Sequence, residues 1–283
     1  MSGILNFITW DVDPILINFG GIQVRWYGLM FAIGFFLGYK IVERMFKHEG
    51  APERWLGILL IWLVVGTIVG ARLGHVFFYE WEEYRKNLMS IFYIWEGGLA
   101  SHGGTIGIIV CVILFSIFTT HKNPLWTFDR VCIPIPLVGA LIRLGNLFNS
   151  EIYGHQTDLP WGFIFVRDGQ TLPAHPTQLY EALAYLALFG LLMWMYWKRN
   201  AEERPGLILG VFFTVLFTAR FFIEYVKNVQ VPREEQMVLN LGQQLSIPFI
   251  IIGIVLIAVS LIRPREHLEF PNKFPDEKPK KIK

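Results

Sequence analysis

The chain has 283 residues, 53% of them hydrophobic and only 17% charged, with a net charge of +2. Soluble domains carry about 25% charge, and a mean hydropathy of +0.43 points away from them too, while so small a net charge argues against nucleic acid. The two cysteines, Cys111 and Cys132, lie in apolar stretches, which excludes a disulfide scaffold. No CxxC, HExxH, GxGxxG or Walker-type spacing occurs, so neither a metal site nor a cofactor is expected.

Residues 1–24 contain no Lys or Arg, so the basic start of a cleaved signal peptide is missing and insertion is expected to rely on retained helices. A bilayer core about 30 Å thick takes roughly 20 apolar residues per helix. Seven stretches qualify: Val24–Val42, Trp55–Tyr79, Leu99–Thr120, Phe128–Phe148, Leu179–Trp197, Gly206–Val226 and Leu245–Ile262. Pro134 and Pro136 interrupt the fourth, which membrane helices tolerate when neighbours satisfy the freed carbonyls. Ten Trp and ten Tyr suit interfacial anchoring, and 26 Gly suit close helix packing in lipid. The fold class is therefore an all-α polytopic membrane protein of about seven transmembrane helices.

Two connections, 80–98 and 149–177, are long enough to build a small outer head. The second contains a hairpin pattern, Trp161–Val166 followed by the turn pair Asp168-Gly169. No internal repeat is visible, so residues 1–263 are expected to form a single integral membrane domain. The Lys- and Pro-rich tail, 264–283, is expected to be disordered and to contact anionic lipid. With the N-terminus outside and the C-terminus cytoplasmic, sixteen basic residues face the cytoplasm and five face out; without the tail the bias is nine against five. The positive-inside rule prefers this orientation.

Four arginines remain within or at the spans: Arg25, Arg72, Arg143 and Arg220. An arginine at the bilayer centre costs roughly 2.5–3.5 kcal/mol on the mildest scale, so each wants a reason. At about 1.5 Å per residue, Arg72 sits about 25 Å along the second span from the cytoplasm, and Arg143 and Arg220 about 20 Å along theirs. All four thus gather towards the outer leaflet, with Tyr27, His102, Asn146, Asn149, Glu151, His175, Gln178, Glu181, Glu224, Gln243, Gln244 and Ser246 at similar depth. Guanidinium is permanently charged and forks onto phosphate oxygens, and phospholipid head groups are the phosphates available there. His102 adds a group able to move a proton near neutral pH.

Plainer roles compete. Arg25 can anchor a helix end, Arg72 can pair with Glu80, and Arg220 with Glu224 at i, i+4. His102 can be a hydrogen-bonded packing residue, although Gly103-Gly104 beside it allows close backbone approach. Asn146 and Asn149 can serve as caps.

The run Arg143-Leu144-Gly145-Asn146-Leu147-Phe148-Asn149-Ser150-Glu151-Ile152-Tyr153-Gly154 resembles the signature G-R-x-G-N-F-x-N-x-E-x-x-G of the prolipoprotein diacylglyceryl transferase family. Ile142 and Leu147 depart from it at packing positions. Arg25-Trp26-Tyr27-Gly28-Leu29, Gly70-Ala71-Arg72-Leu73-Gly74-His75, Trp95-Glu96-Gly97-Gly98 with His102-Gly103-Gly104, His175-Pro176-Thr177-Gln178-Leu179-Tyr180-Glu181, Arg220 with Glu224, and Gly242-Gln243 with Ser246 resemble further family motifs in order over about 220 residues. Leu216 stands where the family often has Tyr, four residues before the late arginine.

The resemblance implies a bacterial inner-membrane enzyme that takes phosphatidylglycerol and transfers its diacylglyceryl group to the lipobox cysteine of a prolipoprotein. A thioether forms and glycerol 1-phosphate leaves; the active site would face the periplasmic leaflet of a monomer. It implies His102, Arg143 and Arg220 as catalytic, and Tyr27, Arg72, Asn146, Asn149, Glu151, Gly154, Gln178, Glu224 and Gln243 as substrate-binding. A secondary transporter of an anionic solute is the alternative on the charges alone, but such folds usually carry paired repeats and a midplane site.

Overall fold

A computed structural model describes residues 7–228, 237–266 and 270. In chain order come β1 (Ile8–Trp10), β2 (Ile15–Phe19), β3 (Ile22–Arg25), α1 (Trp26–Glu49), α2 (Glu53–Phe78), α3 (Trp81–Tyr84), α4 (Ser101–Phe115), α5 (Pro124–Cys132), α6 (Ile135–Phe148), β4 (Phe163–Phe165), α7 (Thr177–Arg199), α8 (Leu207–Ile223) and α9 (Leu241–Ile262). Five helical stretches are long and apolar enough to cross a membrane: Glu53–Phe78, Ser101–Thr120, Pro124–Phe148, Thr177–Arg199 and Leu241–Ile262. Leu207–Ile223 is apolar but shorter. Trp26–Glu49 spans 24 residues, though Lys40, Glu43, Arg44 and Lys47 make its second half polar. The protein is a polytopic, largely helical membrane protein.

The chain divides into two compact units. One holds the described residues up to Ile41 and Asp129–Glu266; the other holds Val42–Phe128 and Phe270.

In the first unit, α6, α7, α8 and α9 pack in sequence as neighbours. Their alternating direction brings the end of α6, the start of α7, the end of α8 and the start of α9 to one end, where the polar motifs lie. The opposite end is basic and tied by capping. The carboxylate of the fully buried Asp129 accepts the backbone N–H of Gly206 (2.7 Å) and Leu209 (2.8 Å), placing a negative charge on the amides that open α8. Arg204 donates to the last carbonyls of α9, Ser260 and Leu261. Leu188, Leu192, Tyr196, Ile133 and Ile208 are buried in this unit.

The second unit is built on α2 against α4. A Cβ on Gly107 would lie 2.0 Å from the Gly66 carbonyl oxygen, and one on Gly103 would lie 2.3 Å from that of Gly70. Only glycine permits backbones this close. Trp126, Phe46, Phe115 and Met45 are buried here, and Phe270 packs edge-on to Trp55.

Several expectations shift. The fourth span is two helices, because Ile133-Pro134 separates α5 from α6. The expected hairpin forms only in part: β4 pairs in parallel with β1, while Gly169 turns the chain at φ +72° so that Ala174 bridges Phe163 antiparallel. An antiparallel pair, β2–β3, turning at Gly20-Gly21, precedes α1 and went unread in the sequence. The tail expected to be disordered falls largely on 267–269 and 271–283, outside the described residues. Within it, Arg265 pairs with Glu203 and Phe270 is buried.

Candidate functional site

Arg143 lies near the end of α6, and its Nε sits 2.6 Å from Oε2 of Glu181, which belongs to α7 and is wholly buried. The N–H points past that oxygen, so the contact is Coulombic rather than a directed hydrogen bond. Glu181 Oε1 in turn lies 3.5 Å from the ammonium of Lys227, which also approaches Glu224 Oε1 at 3.4 Å. Glu224, just past α8, stands 3.6 Å from Arg220 Nε. Two guanidinium groups from separate helices are thus joined by a row of alternating charge, Arg143–Glu181–Lys227–Glu224–Arg220. Such a row makes burial of charge tolerable, because each member is paired.

Side chains around the row are held in turn. Arg143 Nη1 donates to Asn146 Oδ1 (3.3 Å), and the Asn146 and Asn149 amides donate to Glu151 Oε1 at 2.8 and 3.0 Å. A carboxylate only accepts, so these contacts fix which way both amides face. Glu151 sits between Ser150 and Ile152, both at positive φ. A β-branched residue there is strained, and such strain gathers at functional sites. Gln178 donates to the Glu151 carbonyl at 2.6 Å. Gly154 admits the Val226 carbonyl oxygen at 2.1 Å from where a Cβ would stand, and pairs with Lys227 across an antiparallel bridge. Tyr27, at the start of α1, lies on Gly145, where a Cβ would meet its ring at 2.9 Å. Gln243 completes a capping box with Asn240: Asn240 Oδ1 accepts the Gln243 N–H, and Gln243 Oε1 accepts the Asn240 N–H. Asn240 also donates to Glu224.

Ten of the twelve expected site residues therefore share one end of the first unit. Two belong to the second. Arg72 places its five N–H groups on five carbonyls, those of Ile91, Gly97, Gly98, Ser90 and Tyr93. Its pairing with Glu80 does not form, and Glu80 instead meets His75 Nε2 at 3.2 Å. His102 opens α4, with Nε2 3.0 Å from the Tyr79 hydroxyl.

Sequence reasoning missed Lys227, one of the five basic residues counted as facing out, although its spacing of three from Glu224 was a signal. Outside the spans, Tyr153 donates to Asp168, and burial, followed by that carboxylate, pushes its hydroxyl up to about 12. His175 is lowered from 6.5 by burial and then by His155. Trp161 donates to the Tyr180 hydroxyl at 2.9 Å, and that hydroxyl lies 3.1 Å from His175 Nδ1.

A family model described as prolipoprotein diacylglyceryl transferase matches residues 14–259. A protein of Porphyromonas gingivalis named phosphatidylglycerol–prolipoprotein diacylglyceryl transferase is 51% identical over 272 residues, covering 91% of this chain and 96% of that protein. Proteins of the same name from Tolumonas auensis and Chloroherpeton thalassium are 47% and 44% identical, covering 89% and 90% of this chain and 97% and 95% of their own length. With its arginine pair, its amide-held Glu151 and this extent of likeness, the chain belongs to the prolipoprotein diacylglyceryl transferase family.

Proposed function

We propose that this chain transfers the diacylglyceryl group of phosphatidylglycerol to the lipobox cysteine thiol of a prolipoprotein, the first step of lipoprotein maturation. The observation that carries the site assignment is the row joining Arg143 to Arg220. The cysteine sulfur bonds to the glyceryl carbon bearing the phosphate. The carbon–oxygen bond to that phosphate breaks, and its electron pair leaves on oxygen. The product is a thioether and glycerol 1-phosphate. A phosphodiester carries one negative charge and the departing monoester carries up to two, so charge develops on the phosphate as the bond breaks. The row holds three cations and two carboxylates, so it has one positive charge to spare. Arg143 and Arg220 stabilise the leaving phosphate.

Thiolate is the nucleophile, and His102 takes the thiol proton, with Tyr79 orienting its ring. Tyr27 and Glu151 position the head group. Asn146, Asn149, Gly154, Gln178, Glu224 and Gln243 hold the arginines and Glu151. Arg72, whose donors are committed to carbonyls, shapes the 88–98 loop. Residues 1–263 act as one catalytic domain, supported by a family match that draws on both units.

The chain resides as a monomer in the bacterial inner membrane, crossing it about seven times with its N-terminus outside. The basic residues Lys198, Arg199, Arg204 and Arg263 cluster at the far end of the first unit from Arg143 and Arg220. This supports a cytoplasmic position for that end and a periplasmic-leaflet position for the site. The test is to incubate the purified protein with phosphatidylglycerol and a lipobox peptide. Release of glycerol phosphate with a thioether-linked peptide is expected; neither product from folded protein would overturn the proposal.

A further inference from the structure

Lys227 follows the turn that ends α8, and its backbone is pinned. Gly154 pairs with it across the antiparallel bridge, the His155 N–H donates to the Val226 carbonyl at 2.9 Å, and the Asn228 N–H donates to that of Tyr153 at 3.4 Å. The Val226 carbonyl oxygen occupies the space a Cβ on Gly154 would need, so glycine is what lets the two segments lie this close. The ammonium delivered in this way is sealed. The Lys227 side chain is 3% exposed, against 17% for Arg143 and 36% for Arg220. The two guanidinium groups can therefore reach a ligand, whereas Lys227 can act only through its neighbours. Its ion-pair partners among the described residues are Glu181 and Glu224.

Each of those carboxylates already faces an arginine of its own, Glu181 facing Arg143 and Glu224 facing Arg220. Two such pairs alone would be neutral: they would offer an anion oriented donors but no net charge. Fixing an arginine with a carboxylate and leaving it positive are conflicting demands. A third cation shared by both carboxylates meets them. We propose that Lys227 is a positioning residue for both arginines: it takes up charge from Glu181 and Glu224, so that Arg143 and Arg220 stay fixed yet present one net positive charge to the departing phosphate. The inference rests on the phosphate-clamp reading of the two arginines.

Lys227→Met removes the third cation. The full chain is assayed with phosphatidylglycerol and a lipobox peptide at a temperature where the variant is folded. Both kcat and product inhibition by glycerol 1-phosphate should fall about tenfold, the scale of one charge lost at a partly shielded distance. Inhibition by the methyl ester of glycerol 1-phosphate, which carries one negative charge instead of two, should weaken only about threefold, because Coulomb energy scales with ligand charge. A merely structural lesion would weaken both inhibitors alike. Adding Glu224→Gln restores the surplus and should return glycerol 1-phosphate inhibition to within about threefold of wild type. Wild-type kcat and inhibition in folded Lys227→Met would overturn the inference, as would equal weakening of the two inhibitors or no recovery with Glu224→Gln. Should Lys227→Met not fold, Glu224→Gln is compared with and without Lys227→Met. The lysine should again strengthen glycerol 1-phosphate inhibition about tenfold, and equal inhibition would overturn its role. Arg143→Gln in the same assay separates the two claims. Full activity there removes the clamp itself, whereas an inactive Arg143→Gln beside a fully active Lys227→Met removes only the role of Lys227.

Discussion

The ammonium of Lys227 lies 3.5 Å from Glu181, and that contact links the Arg143 half of the site to the Arg220 half. Glu181 and Glu224 both face it, so without Lys227 two carboxylates would share a buried space with no cation between them.

Lys227→Met should therefore destabilise the protein by about 3–5 kcal/mol, the cost of removing one partner from a buried charge pair. Lys227→Arg keeps the charge and should retain most of the stability. Thermal unfolding in detergent compares the two, and equal midpoints for Lys227→Met and wild type would contradict the linkage.

The glycines beside His102 are not equivalent. A Cβ on Gly103 meets the Gly70 carbonyl oxygen at 2.3 Å, whereas on Gly104 the nearest atom is at 3.6 Å. Gly103→Ala should cost about 1–3 kcal/mol or more by forcing α4 from α2, and Gly104→Ala should stay within about 0.5 kcal/mol of wild type. Unfolding midpoints of the two variants decide.

Arg72 saturates five carbonyls, and lysine has three donors at a single point. Arg72→Lys should free at least two carbonyls and loosen the loop they close. Limited proteolysis should then cut within residues 85–98 faster than in wild type.

His175 is depressed below 6.5, so the folded protein holds fewer protons there than the unfolded chain. Its contribution to stability is full above pH 6.5 and is lost as pH falls through the lowered value. The Tyr180 hydroxyl lies 3.1 Å from its Nδ1, and a bond donated to that nitrogen needs the neutral ring. Unfolding midpoints between about pH 5 and 7.5 should fall more steeply with acid in wild type than in His175→Gln.

The polar end of the bundle was legible because hydrophobic runs fix helix number and direction, and direction fixes which helix ends share a level. That reasoning put Arg143, Glu181, Glu224 and Gln243 together before any contact was known. Helix ends were less legible: Pro134 read as a tolerated kink, but it closes one helix and opens another. The partners of Arg72 were not legible because carbonyls leave no mark in a sequence, whereas a carboxylate such as Glu80 does. The β2–β3 pair was missed because only 4–5 residues form each strand, and Gly20-Gly21 was the turn signal available. The spacing of Lys227 from Glu224 marked one of its contacts, but its contact with Glu181 goes with the long-range pairing of Gly154 and Lys227, which no local pattern encodes.

The central claim is that Arg143 and Arg220 together stabilise the leaving phosphate, and the most direct measurement is glycerol phosphate release by Arg143→Gln and Arg220→Gln with phosphatidylglycerol and a lipobox peptide. Each should lose about a hundredfold or more in kcat, the scale of a lost charge-stabilising donor, while remaining folded. Wild-type turnover in either variant would contradict the account.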